Sequence, residues 1–170
     1  LGYSLKQKDA LLTAFRKEGV RSEAMKQSGL FIDTKGGYMD RVRGRIMFSI
    51  PNSSGKIAAF AGRVFESDDT AKYVNSPETP IYNKSKILYG LHETKQIIRE
   101  AKSVIVVEGY LDFLQLYQSG IHNIVAVSGT AFTDQHALQI KRFCQNVHLA
   151  YDGDSAGKSA AIRAGYVLLR

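Results

Sequence analysis

The stretch Ser103-Val104-Ile105-Val106-Val107-Glu108-Gly109-Tyr110-Leu111-Asp112 runs four consecutive β-branched residues into an acid and a glycine. A strand apolar on both faces belongs to a sheet that is covered on both sides, the usual setting of parallel strands. Two later runs repeat the pattern, at 123–127 and 147–151, and helical apolar spacing fills 111–118, 134–143 and 156–169. Strands alternating with helices predict an α/β fold with a parallel sheet flanked by helices. In such sheets ligands bind outside the carboxyl ends of the strands. Glu108, the loop Ser128-Gly129-Thr130 and the turn Asp152-Gly153-Asp154 are all expected at that edge.

The acids there are the informative residues. Glu108 stands at a strand end with Asp112 four residues on, and Asp152 and Asp154 flank a glycine that permits a tight turn. Either motif alone is explained more readily by a turn or a helix cap. Together at one sheet edge they predict converging carboxylates, which repel unless cations fill the site. Oxygen donors without His or Cys select Mg²⁺ or Mn²⁺ over zinc, and phosphoryl or nucleotidyl transfer is the natural chemistry of such a site. Gly153-Asp-Ser-Ala-Gly157-Lys158-Ser159 imitates a phosphate-binding loop but has three residues between its glycines where four are needed. His92, His122, His136 and His148 lack ligand spacing and are read as surface or satisfied core histidines.

Upstream, the patterns predict helices at 5–17 and 22–27, a β-hairpin of 45–50 and 57–65 around Pro51-Asn52-Ser53-Ser54-Gly55, a polar loop over 66–85 and a helix at 91–100. A smaller α+β lobe, residues 1–102, is thus expected before the sheet domain, residues 103–170. The first part holds 18 Lys+Arg and 11 Asp+Glu, and the second five of each, so the net charge of +7 is assigned to the first. Excess Lys and Arg point to a polyanion such as nucleic acid. Arg41, Arg43 and Arg45 alternate and are expected to share one face of an extended segment. Tyr73 beside Lys72 suits stacking on a base next to a phosphate contact.

Of the 170 residues, 44% are apolar, with 15 Gly, three Pro and one Cys, a composition that excludes disorder, collagen and disulfide scaffolds. Cys144 has no internal partner, which favours a reducing, cytoplasmic compartment. No apolar run approaches a membrane span and no signal peptide opens the chain. Because the sequence opens at Leu1 without a methionine and closes at Arg170 inside an expected helix, further chain is expected on either side.

Glu108-Gly-Tyr-Leu-Asp112, Ser128-Gly-Thr-Ala131 and Asp152-Gly-Asp-Ser-Ala-Gly157 resemble the successive motifs of a Toprim domain. Asp40-Arg-Val-Arg-Gly-Arg-Ile-Met-Phe48, Phe60-Ala-Gly-Arg-Val64, Lys72-Tyr-Val-Asn-Ser-Pro-Glu-Thr79 and Leu88-Tyr-Gly-Leu91 are similar to the amino-terminal lobe of bacterial DnaG-type replicative primases. The resemblance runs the length of the chain. It implies DNA-templated synthesis of short RNA primers by metal-dependent nucleotidyl transfer, with single-stranded DNA and nucleoside triphosphates as partners. By the same resemblance Glu108, Asp152 and Asp154 hold Mg²⁺ or Mn²⁺ with Asp112 nearby, and Arg43, Arg45, Arg63, Lys72, Tyr73, Asn75 and Lys84 meet nucleotide or nucleic acid. Ser85 stands where the family usually has glycine, and Phe60-Ala61-Gly62 replaces a Gly-Gly pair. The family's zinc ribbon, helicase-binding tail and later acidic motif are not among these residues, so zinc and the replicative helicase are expected to engage other parts, and the segment alone is expected to be weak or inactive. Two other readings remain: a non-catalytic single-stranded DNA-binding fragment, and a Toprim topoisomerase or nuclease, against which stands the lack of a tyrosine placed by motif as nucleophile.

Overall fold

The computed structural model describes residues 1–65 and 71–170. The chain divides into two compact units, Leu1–Ile50 with Ala58–Tyr82, and Pro51–Ile57 with Asn83–Arg170.

In the first unit, strands β1 (Gly2–Ser4), β4 (Arg45–Pro51), β5 (Ile57–Val64) and β6 (Tyr73–Asn75) form a four-stranded sheet in the order β1-β4-β5-β6. β1 pairs antiparallel with β4, Gly2 opposite Met47, and β6 pairs antiparallel with β5, Tyr73 opposite Arg63. A separate antiparallel hairpin, β2 (Phe31–Thr34) and β3 (Gly37–Asp40), covers helices α1 (Ala10–Lys17) and α2 (Ser22–Gln27). Leu12, Met25 and Phe31 form their shared core, with the Phe15 ring edge-on to Phe31 at 5.5 Å.

The expected first helix is shorter than the pattern 5–17. Residues 2–4 are taken by the sheet, and the helix starts where the buried Asp40 carboxylate accepts hydrogen bonds from the Leu11 and Leu12 N–H groups at 2.7 and 3.0 Å. A long-range acid supplies the cap that Asp9 does not. The expected polar loop 66–85 is also corrected. Residues 66–70 of it lie outside the described residues, and the remainder includes β6 and a 3₁₀ turn, Lys84–Lys86.

In the second unit a parallel sheet of β7 (Ser103–Val107), β8 (Ile124–Ala126) and β9 (Asn146–Leu149) has the order β8-β7-β9. Ile105 lies opposite Ile124 on one side and His148 on the other. Alternate strand residues feed two cores. Val104, Val106 and Val125 pack with Leu91 and Ile98 of α3 (Leu91–Ala101), Ile140 of α5 (Asp134–Ile140) and Ala164 of α6 (Ser155–Leu168). Val107, Ile124 and Ala126 pack with Phe113 of α4 (Tyr110–Gln118). Both faces are thereby covered, as the unbroken apolar runs require.

Since residues 83–102 pack in the second unit, the charge is not confined to the first. The first unit carries 12 Lys+Arg against nine Asp+Glu, and the second 11 against seven.

Candidate functional site

The carboxyl edge of the parallel sheet is built by strand pairing carried one residue past the regular strands. Val127 N–H donates to Val107 O at 3.1 Å, Ser128 N–H to Glu108 O at 2.9 Å, and Ala150 N–H to Val106 O at 2.9 Å. Ser128 and Gly129 then turn the chain with φ of +52° and +85°. Glu108 therefore stands between the ends of its two neighbour strands, and its Oε1 accepts the Asp152 N–H at 2.9 Å. The two acidic motifs meet as expected.

Their side chains do not all converge. Asp112 Oδ2 accepts the Gly109 N–H at 2.9 Å, closing the first turn of α4, and Asp154 Oδ1 accepts the Gly157 N–H at 2.7 Å as the N-cap of α6. Among the described residues no three acidic, histidine or cysteine side chains gather as a ligand group. Among the described residues the expected convergence of three or four carboxylates is therefore not found: the Glu108 carboxylate holds the Asp152 backbone N–H, and Asp112 and Asp154 cap helices. The reason is local: the first turns of α4 and α6 each expose N–H groups without helical partners, and a carboxylate at that position is drawn to them. Gly157 makes the arrangement possible, because a Cβ there would lie 2.2 Å from the Asp152 carbonyl oxygen.

Tyr151, not singled out by the sequence, sits beside this edge. Its buried hydroxyl has no hydrogen-bond partner among the described residues, and burial, with the nearby Glu108 charge, pushes its pKa up to about 12. Lys158 is exposed on the first turn of α6.

The 3₁₀ turn bearing Lys84 is held by α5. Thr133 Oγ1 donates to Ser85 O at 2.6 Å, the His136 ring lies with Nε2 3.1 Å from Lys84 O, and Gln139 Nε2 donates to Lys86 O. His136 is fully buried, and its Nδ1 accepts the Thr133 N–H at 3.3 Å, so Nε2 carries the proton given to Lys84. It is a satisfied core histidine, as its lack of ligand spacing implied. Sequence reasoning missed its connection to Lys84, whose only local signal is the Thr133-x-x-His136 cap.

In the first unit the basic residues part company. Arg41, Arg43 and Arg45 do not share an open face. Arg41 Nε donates to Gly29 O at 2.8 Å, Arg43 Nη1 to Asp40 O at 2.5 Å, and Arg45, only 3% exposed, gives Nη1 to Ala71 O at 2.8 Å. Residues 41–44 bend rather than extend, so alternation in sequence is not alternation in space. Arg63 and Tyr73, directly paired across β5 and β6, are joined by a 2.8 Å bond from Arg63 Nη1 to the Tyr73 hydroxyl, with the guanidinium 5.3 Å from the ring centre. Asn75 lies two residues along β6 on the Tyr73 side, and Lys72 is exposed just before it.

The family of the "DNA primase catalytic core, N-terminal domain" matches residues 1–95, and the Toprim domain matches residues 102–170. This chain belongs to the DNA primase family. A Listeria monocytogenes DNA primase is 43% identical to it over 162 residues, covering 94% of this chain and 26% of that protein. The Aquifex aeolicus primase structure, comprising zinc-binding and RNA polymerase domains, superposes with a TM-score of 0.90 at 36% identity over 99% of this chain and 41% of that one. A DnaG primase catalytic domain bound to single-stranded DNA superposes with a TM-score of 0.84 at 40% identity, covering 96% of this chain and 51% of that one. The chain thus spans about a quarter of its curated primase relative.

Proposed function

We propose that this chain supplies part of the nucleotidyl-transfer centre of a primase that makes short RNA primers on single-stranded DNA from nucleoside triphosphates. The bond between Glu108 Oε1 and the Asp152 N–H carries the reading, since it joins the two acidic motifs at the sheet edge where ligands bind. Glu108, Asp152 and Asp154 suit Mg²⁺ or Mn²⁺: the donors are all oxygen, and Mg²⁺ is commonly held by one or two carboxylates with water and substrate phosphates completing the shell. Such an ion, when bound, neutralises phosphate charge and activates the attacking hydroxyl. Asp112 acts through its own helix, fixing the Gly109 backbone that follows Glu108. Arg63, Lys72, Tyr73 and Asn75 offer a cation, an aromatic face and an amide for a strand or nucleotide, and Arg43 and Lys84 add charge near their own backbone anchors. Arg45 is withdrawn from this set because it is buried.

The DNA-bound primase neighbour supports the template assignment, and primase relatives favour this reading over a topoisomerase or nuclease. Zinc is assigned to a separate domain of the kind named in the Aquifex structure, and the resemblance alone assigns contact with the replicative helicase to residues other than these.

Titrating Mn²⁺ into the ¹⁵N-labelled chain tests the metal assignment. Paramagnetic broadening is expected at the amides around Glu108 and Asp152, and is expected to vanish in Asp152→Asn/Asp154→Asn, where asparagine preserves the cap of α6. Equal broadening in both proteins overturns the assignment.

A further inference from the structure

The second unit has a basic excess of four, and four of its cations share one groove. The groove, about 500 Å³, is cut between α3, α5 with the turn that follows it, and the segment after the 3₁₀ turn. Lys86, Lys95, Arg99 and Arg142 line it together with Gln139 and Phe143, and among the described residues no carboxylate does. None of Glu108, Asp112, Asp152 and Asp154 reaches it.

Several features separate this groove from an ordinary solvated surface. The cations are held by neutral groups: Lys95 Nζ donates to Ser53 O at 2.9 Å, Arg99 Nη1 to Gln96 Oε1 at 3.2 Å, and the Arg99 guanidinium lies 5.4 Å from the Phe143 ring centre. Nearby acids are turned elsewhere. Glu100 accepts from Gln96, Glu93 falls on the far side of α3 from Lys95 and Arg99, and Asp134 on α5 lies 3.8 Å from Arg170. The floor is apolar, since Leu88 and Leu91 are each 2% exposed and Phe143 lies beside them. Cations around a concave apolar floor, with no carboxylate beside them among the described residues, concentrate anions there. A phosphate suits the Lys and Arg rim, and an aromatic ring with a guanidinium beside it suits a base.

The geometry points to a second nucleotide-phosphate site in this groove, remote in composition from the acidic edge and independent of divalent metal. Its ligand is a phosphorylated nucleotide, either free or as one unit of a single strand. Lys86, Lys95, Arg99 and Arg142 would take the phosphates, Gln139 would supply an amide, and Phe143 would take the base. Because the proposed catalytic reading rests on metal at Glu108 and Asp152, working in EDTA separates the two claims.

The test follows amide shifts of the ¹⁵N-labelled chain in EDTA as ATP, or separately a dT trinucleotide, is added. Shifts are expected in α3 near Lys95 and Arg99 and in the turn near Arg142. Arg99→Glu/Arg142→Glu, both exposed and away from the cores, is expected to weaken that response about ten-fold or more, because charge-assisted contacts become repulsions. Lys141→Glu/Arg163→Glu, with the same change in net charge outside the groove, is expected to alter it by less than about two-fold, the remainder being bulk electrostatics. A response to ATP alone identifies a free-nucleotide site, and a response to the trinucleotide identifies a strand site. The proposal is overturned if neither ligand shifts these segments, or if the two double variants weaken binding equally.

Discussion

Arg45 illustrates how a basic side chain can be structural. The residue is 3% exposed, and its guanidinium reaches the carbonyl oxygens of Gly62, Ala71 and Lys72, tying β4 to the segment that leads into β6. Arg45→Ala removes these cross-links and leaves a space beside β4 where the buried side chain lay, and is expected to cost about 2–4 kcal/mol of stability, read from urea denaturation. Lys72→Glu, at an exposed position, is expected to leave stability unchanged while weakening binding of a dT oligonucleotide more than Lys17→Glu does. Equal binding losses at Lys72 and Lys17 would reduce the nucleic-acid assignment to bulk charge. Tyr82 and Tyr151 act at the other end of the pH scale, since burial raises both hydroxyls from 10.0 to about 12, helped by Glu78 and Glu108 respectively. Between those values the unfolded chain loses protons that the folded chain keeps, so stability is full below pH 10 and falls as pH rises toward 12. Tyr82→Phe/Tyr151→Phe is expected to flatten the alkaline fall in melting temperature; an unchanged fall would refute this origin.

At the scale of elements, α5 works as a clamp. Thr133, His136 and Gln139 reach the carbonyls of Ser85, Lys84 and Lys86, so one helix fixes the turn that presents Lys84. Burial lowers the His136 pKa from 6.5, against smaller upward contributions from the Lys84 and Ile87 backbone. The unfolded chain therefore binds a proton that the folded chain resists, so the clamp's contribution is present above pH 6.5 and diminishes as pH falls below it. His136→Ala is expected to destabilise by about 2–4 kcal/mol through a cavity and lost hydrogen bonds. It is also expected to speed hydrogen exchange at Lys86, whose N–H bonds to Asn83 O, and to remove much of the stability loss below pH 6.5. Unchanged exchange at Lys86 would show that the turn holds itself. Beyond the Thr133-x-x-His136 cap this clamp is not legible in sequence, because its partners are backbone carbonyls 48 to 53 residues away. The same limit hid β1, β2, β3 and β6, which are three or four residues long and, for β1 and β6, owe their pairing to distant strands. The alternating strands and helices of the second unit were legible to within a few residues, since their apolar runs are continuous and Asp154 and Thr133 cap their helices from adjacent sequence. Glu108 and Asp152 were legible because they follow such runs directly. The capping duties of Asp112 and Asp154 were not, since the same residue types serve a metal and a helix end alike.

For the whole molecule, the relevant proportion is that this chain covers 26% of the Listeria primase it matches. α6 buries Ala164 against the sheet but leaves Ile162, Tyr166 and Leu169 62%, 67% and 86% exposed, spaced along one side of the helix. Exposed apolar stripes of this kind are normally covered by another segment. At the carboxyl edge the Glu108 carboxylate meets the Asp152 backbone N–H, and among the described residues no three ligating side chains gather, so ions held there would depend on further donors for fixed positions. Transition-state stabilisation depends on exact placement of charge, whereas strand binding sums many phosphate contacts. The 170-residue chain is therefore expected to bind single-stranded DNA and Mn²⁺ yet make little primer, while the same residues carried in a chain of the relative's length make it readily. A templated nucleotide-incorporation assay with Mg²⁺ or Mn²⁺, run on both proteins at matched DNA occupancy, decides the point. Comparable synthesis by the short chain would show that Glu108, Asp152 and Asp154 suffice for catalysis.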